Sequence, residues 1–353
     1  MNPAIEFFRG IAALMVLTSH YYAILITHER GVLNFLYTGY DAFFVISGFV
    51  FGRTIYGRND LAIGPYLIRR YFRIYPLYVF SLILYYIFQS PDPNKLLYFI
   101  KHLLFLQTTT SFQEAYFFNG AYWTLPVEIE FYLLVPILAI FQKKYKKLMI
   151  PSLFVFSILL RLFISYHAPA TGINGYRIIA VHLPGILVEF IIGIMLFSAY
   201  ENLKNKNIHY FNYITVFILG IFLIVYLGQF YVRNGDEGIS AHLFMKSYFS
   251  PLCALAYALI LFSFLIFLKN NTSALKTFCL FMGKISFGLY LFHSLIPKIL
   301  NNFGLSLHGV NAYLLCLTIV IFVSLLFNYL IENPLRFFGR NLSNKLEKMK
   351  QYR

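Results

Sequence analysis

The sequence places ionisable side chains inside stretches otherwise built from Phe, Leu, Ile and Val. Arg9 and His20 lie in one such stretch, separated by ten residues. On a helix the two are about 16 Å apart along the axis and nearly three full turns apart, so they share a face. An imidazole that titrates near neutrality suits general-base or nucleophilic work on an alcohol. A guanidinium suits a phosphate. Arg70 and Arg73, three positions apart, share a helix face and offer two such forks for a multiply phosphorylated ligand, although on spacing alone plain membrane anchoring is the better account of the pair. Asp41 and Ser47 stand in Gly39-Tyr40-Asp41-Ala42-Phe43-Phe44-Val45-Ile46-Ser47-Gly48, where small residues also fit close helix packing. Glu128 and Glu130 are two apart and point to different helix faces, so each needs its own partner; His20, Arg161 and Arg177 are the candidates. Ser286, Tyr290 and His293 follow steps of four and three and share one face. Glu189 is another acid in an apolar run, and Glu332 and Arg336 flank Pro334, a helix stop across which they can pair structurally. His28, His167, His209, His242 and His308 fall in loops or at interfaces. The three cysteines show no metal-ligand spacing, and no metal is expected.

The elements that must position these groups are membrane spans. Only 12% of the 353 residues are charged and 59% are hydrophobic, with a mean hydropathy of +0.67. That excludes a water-soluble monomer, and the abundance of aromatic residues excludes disorder. Ten apolar runs have bilayer-crossing length, at roughly 5–26, 34–52, 72–90, 123–142, 148–166, 178–198, 210–231, 248–268, 279–299 and 310–331. Their continuous apolarity indicates helices rather than a barrel, giving an all-α integral membrane protein. Segment 91–122, interrupted by Lys101 and His102, reads as interfacial or re-entrant. With the N-terminus in the cytoplasm, 20 of the 29 Lys and Arg fall on the cytoplasmic side and seven outside. Both termini are therefore expected inside. Most of the net charge of +15 is topology signal or contact with anionic lipid, and nucleic acid is a poor reading. The organisation expected is one membrane domain over 1–336 and a basic cytoplasmic tail over 337–353. Arg9 and the apolar run after it lack a cleavage site and read as a retained first helix.

Six blocks in order resemble the membrane acyltransferase-3 family. Glu6-Phe7-Phe8-Arg9-Gly10 closing with His20 is similar to its first helix, and Gly39 to Phe49 to its second motif. Arg70-Tyr71-Phe72-Arg73-Ile74-Tyr75-Pro76 matches its Arg-x-x-Arg-Ile-x-Pro element, and Trp123-Thr124-Leu125-Pro126-Val127-Glu128 its Trp-Ser-Leu-x-Val-Glu block, with Thr in place of Ser. Ser286 to His293 resembles its Ser-Tyr-x-x-Tyr-Leu-x-His element, with Phe287 in place of Tyr, and Glu332-x-Pro334-x-Arg336 its last signature.

The resemblance implies transfer of an acyl group, usually acetyl from acetyl-CoA, across the bilayer to a hydroxyl of a glycan such as surface polysaccharide or lipopolysaccharide O-antigen, or of a lipid-linked saccharide. The compact chain fits a multi-pass protein of a bacterial inner membrane. On this reading His20 is catalytic, with Glu128, or Glu130 as second choice, orienting its imidazole. Arg9, Asp41, Ser47, Arg70, Arg73 and Tyr75 would bind the acyl-CoA donor. Trp123, Tyr132, Tyr290 and His293 would contact the acceptor. The alternative is a proton-coupled transporter or flippase that uses His20, Asp41 and Glu128 as a relay.

Overall fold

The structure, a computed structural model, describes residues 2–27, 29–57, 61–169, 174–206, 209–268, 273–305 and 307–351; His28 lies outside these. The described chain is helical: α1 (Pro3–Tyr21), α2 (Gly39–Ile55), α3 (Ile63–Phe88), α4 (Lys95–Leu103), α5 (Phe112–Tyr116), α6 (Thr124–Tyr145), α7 (Met149–His167), α8 (Gly175–Ala180), α9 (Leu183–Leu203), α10 (Tyr210–Ala241), α11 (Leu243–Phe267), α12 (Ser273–Phe292), α13 (Leu295–Asn302), α14 (Gly309–Phe327) and α15 (Asn333–Gln351). Among the described residues ten segments are long and apolar enough to cross a membrane, and each overlaps one of the ten runs. This is a multi-pass membrane protein.

Two boundaries differ from the sequence reading. The third span starts at Ile63, not near 72, because Arg69, Arg70 and Arg73 sit within the helix and are served there by partners from other helices. Pro334 does not stop the last helix. Asn328–Glu332 form one π-helical turn that runs directly into α15, so the helix continues through Pro334. α15 then packs along α3. Arg69 pairs with Glu347 at 2.8 Å and also reaches Ser343, while Gly339 lies against Phe72.

Segment 91–122 holds only α4 and α5. At nine residues α4 is about 13 Å long, too short to cross. It docks on α3 through the Tyr78 hydroxyl, which donates to the His102 carbonyl at 2.8 Å, and Lys101 meets Glu114 of α5 at 2.8 Å. His102 is buried against Phe118 and Tyr122, and burial pushes its pKa down to about 4. The ring is therefore neutral, and its Nδ1–H donates to the Tyr98 carbonyl at 2.8 Å.

The helices that carry the polar residues approach closely because glycines line their contacts. α1 packs along α12 and α2 along α9. A Cβ at Gly48 would lie 2.0 Å from the Phe190 carbonyl oxygen, and one at Gly193 would lie 2.1 Å from that of Val45. Backbone cannot yield at such distances. Gly193→Leu is expected to cost at least about 1–3 kcal/mol by overpacking. It should appear as a lower melting temperature of the detergent-solubilised protein, whereas Gly64→Leu, in open space, leaves melting unchanged.

Candidate active site

α1, α2, α3, α6 and α12 enclose a narrow cavity of about 70 Å³ near the Arg9 end of the bundle. Its walls include Arg9, Ser47, Arg70, Arg73, Glu128, Tyr132, Ser286 and Tyr290. Seven of the predicted site residues are thus brought together from five helices. Each guanidinium is held differently. Arg9 pairs with Glu6 on its own helix at 3.3 Å. Arg73 meets Glu332 at 2.7 Å, and Glu332 also takes Arg336 at 3.2 Å and the Asn328 amide at 2.9 Å. Arg70 faces aromatic rings, with its guanidinium carbon 4.9, 5.7 and 5.8 Å from the ring centres of Phe51, Tyr66 and Tyr132. Its Nε is buried without a hydrogen-bond partner. The cation–π contacts stabilise the charge and leave its donors unspent. Arg9 and Arg73 have Glu128 as a charged neighbour across the cavity, and the Tyr132 hydroxyl already donates to Glu128. The cavity suits an anion.

His20 stands beyond Tyr290, at the other end of the same bundle. Its Nδ1 lies 2.7 Å from His293 Nε2. His293 is fully buried, and its Nδ1 is 2.9 Å from the Tyr290 carbonyl and 3.2 Å from that of Leu289. A carbonyl only accepts, so His293 Nδ1 carries a proton. In neutral His293 the Nε2 lone pair then accepts from His20 Nδ1–H, which leaves a lone pair on His20 Nε2. That atom is a base and a nucleophile. Space beside it comes from Gly120, where an added Cβ would lie 3.4 Å from His20 Cε1 and 3.9 Å from Nε2. Asn119 fixes that loop by donating to the Leu291 carbonyl at 3.1 Å and accepting from Ala121 N–H at 2.9 Å. The Tyr290 hydroxyl donates to the Ala121 carbonyl at 2.8 Å and meets Thr124 Oγ1 at 2.6 Å. Phe43 lies edge-on to the Tyr290 ring at 5.3 Å.

Several expectations are corrected. Neither Glu128 nor Glu130 holds His20; His293 does. Glu130 Oε1 is 2.5 Å from His182 Nδ1, and Oε2 accepts from Leu183 N–H at 2.7 Å, so this acid caps the start of α9. Arg161 serves neither glutamate: it pairs with Glu189 at 2.6 Å and donates to the carbonyls of Ser247 and Gly185. Asp41 does not line the cavity. It is buried on α2 with both oxygens unbonded, and its charged neighbours are Glu189 and Arg161. Tyr75 stacks on Tyr71 at 4.8 Å, and its hydroxyl points to the Leu103 carbonyl at 3.4 Å, so it fastens α4. Trp123 is packed edge-on against Tyr40 and Phe44 at 5.0 and 6.4 Å and lies off the cavity. Tyr132 lies beside Arg70, not at the His20 end.

Sequence reasoning missed Gly120, Asn119 and His182. The Asn-Gly pair was a visible turn signal for the first two, whereas His182 meets Glu130 across 52 positions and carried none. Glu130→Ala is expected to lower thermal stability by about 1–3 kcal/mol, since it strands a helix start and an imidazole. His182→Ala in the same background should add little, which a double-mutant melting cycle would read.

A family model described as an acyltransferase domain matches residues 2–332. A protein of Acidianus two-tailed virus named "Putative acetyltransferase ORF330" is 23% identical over 318 residues, which cover 88% of each chain. No solved structure matches. The family match spans nearly the whole bundle, including the arginine cavity and the histidine pair, and the chain belongs to the membrane acyltransferase-3 family.

Proposed function

We propose that this acyltransferase takes an acyl group, acetyl first of all, from coenzyme A at the Arg9 end and passes it to a glycan hydroxyl at the His20 end. The observation that carries this reading is the single line of polar groups running from the guanidiniums through Tyr290 to His20 and His293. Below the narrow cavity a wider one of about 440 Å³ is lined by Glu6, Lys284, Asn328, Asn333, Arg336 and Arg340. The two cavities are divided by the Glu6–Arg9 and Arg73–Glu332–Arg336 contacts. Cations on both sides of that divide suit a donor with phosphates at one end, and the narrow cavity leads from them toward Tyr290. The lysine and arginine count supports a cytoplasmic side for the Arg9 end, both termini and α15, the side on which acyl-CoA resides. In this reading the membrane is the plasma membrane of a bacterial cell, with residues 1–336 as the transfer unit and 337–353 as the cytoplasmic tail.

In this reading His20 Nε2 removes the acceptor hydroxyl proton as that oxygen forms its bond to the thioester carbonyl carbon. The C–S bond breaks, and the imidazolium returns the proton to the departing sulfur. His293 fixes the tautomer that leaves Nε2 free, the role given to a carboxylate in a triad.

His20→Ala is expected to reduce acyl transfer at least about 100-fold, the lower range for loss of a general base. Mass spectrometry of surface glycan from cells carrying each variant reads this; an unchanged acetyl content would remove His20 from the mechanism. Arg70→Gln with Arg73→Gln is expected to weaken acetyl-CoA binding to the solubilised protein by tenfold or more, while His20→Ala leaves that affinity unchanged.

A further inference from the structure

At the His20 end of the bundle there is a cleft of about 400 Å³. Ser294, next to His293, lines it, as does Ile24, four residues beyond His20 on the extension of α1. Its polar side chains include Ser294, Lys298, Asn302 and His308, and no carboxylate lines it among the described residues.

Lys298 is half-buried there. Its ammonium donates to the Gln89 side chain and lies 5.6 Å from the Tyr85 ring centre. A second ammonium, Lys95, donates to the backbone carbonyl of the same Gln89 at 2.6 Å. Neither lysine is in an ion pair with a carboxylate among the described residues. Burial, with Lys95 adding to it, pulls the Lys298 pKa down to about 8. Lys298 thus lines the cleft as a half-buried cation held on Gln89 and Tyr85, close to a second cation, with no carboxylate to offset it among the described residues. The contacts of Lys298 with Gln89 and Tyr85 carry no opposite charge. At the Arg9 end, by contrast, Glu6 and Glu332 offset the arginines. An anion entering the cleft would relieve the repulsion and replace lost solvation.

We propose that this cleft seats an anionic group of the acyl acceptor, a carboxylate or a phosphate, on Lys298, which makes the acceptor an acidic sugar or a sugar phosphate rather than a neutral sugar. The proposal rests on the acyltransfer reading for the identity of the ligand as acceptor. The anion site itself stands on the cleft and on Lys298, with Lys95 as a neighbouring cation at Gln89.

The test is labelling of Lys298 in the full-length protein in uncharged detergent at pH 8, using an amine-reactive ester read by peptide mass spectrometry. Glucuronic acid and glucose 6-phosphate at millimolar concentration are expected to slow labelling at Lys298 fivefold or more, and glucose is not. Protection by only one of the two anions assigns the carboxylate or the phosphate. Equal effects of all three sugars, or protection by phosphatidylglycerol and by neither anionic sugar, would overturn the proposal. In the transfer assay Lys298→Gln is expected to raise KM for the acidic acceptor at least tenfold, with Lys298→Arg restoring it. Protection without any transfer would keep the anion site and count against the acyltransfer reading. Transfer to acidic and neutral acceptors alike, unaffected by Lys298→Gln, would do the reverse.

Discussion

A guanidinium inside an apolar helix bundle costs several kcal/mol unless something nearby offsets the lost hydration. This constraint organises the Arg9 end of the protein. Arg73 depends on Glu332, which requires the π-helical turn and the continuation into α15. Arg9 depends on Glu6, which fits only because Gly283 of α12 has no side chain: a Cβ there would lie 2.1 Å from Glu6 Oε2. Arg70 depends on the rings of Phe51, Tyr66 and Tyr132, from three different helices. The second, third, sixth and last helices are thus held together by the needs of Arg70 and Arg73, while Arg9 is served within the first helix, whose approach to α12 Gly283 permits. The same arrangement leaves Arg70 with donors still free.

The other end follows a different logic. His20 and His293 need no ion pair, because a neutral ring can satisfy a neutral ring. The buried ring spends its proton on a backbone carbonyl and its lone pair on the partner. The outcome is a directional chain that ends in a lone pair on the less buried histidine. Tyr290 belongs to both ends: its ring lines the arginine cavity, and its carbonyl orients His293. A chain built to move protons between solutions would be expected to link its intramembrane acids to His20. Here Glu128 takes the Tyr132 hydroxyl, Glu130 caps α9, and Asp41 lies beside Arg161 and Glu189.

How much was legible in the sequence follows from the range of each interaction. The spans were legible because hydrophobic length is a local property. The start of α3 was not, because its arginines look like a helix boundary until Glu347, Glu332 and Phe51 supply their partners from elsewhere in the chain. The set of cavity residues was largely legible through motif resemblance, since Arg9, Ser47, Arg70, Arg73, Glu128, Tyr132 and Tyr290 do converge. Their pairing was not. His20 finds His293 across 273 positions, and a carboxylate was the natural guess for its partner because triads use one. Glu130 looked catalytic because an intramembrane acid is expensive. The cost is met instead by a helix start and an imidazole.

The central claim is that the acyl group enters at one end and leaves at the other. Purified protein in sealed vesicles, sorted for orientation, tests it directly. Acetyl-CoA labelled in the acetyl group is supplied only on the Arg9 side, and a glycan acceptor is trapped only on the His20 side. Labelled acceptor is expected, and its loss with His20→Ala. Label appearing only when donor and acceptor share a compartment would contradict it.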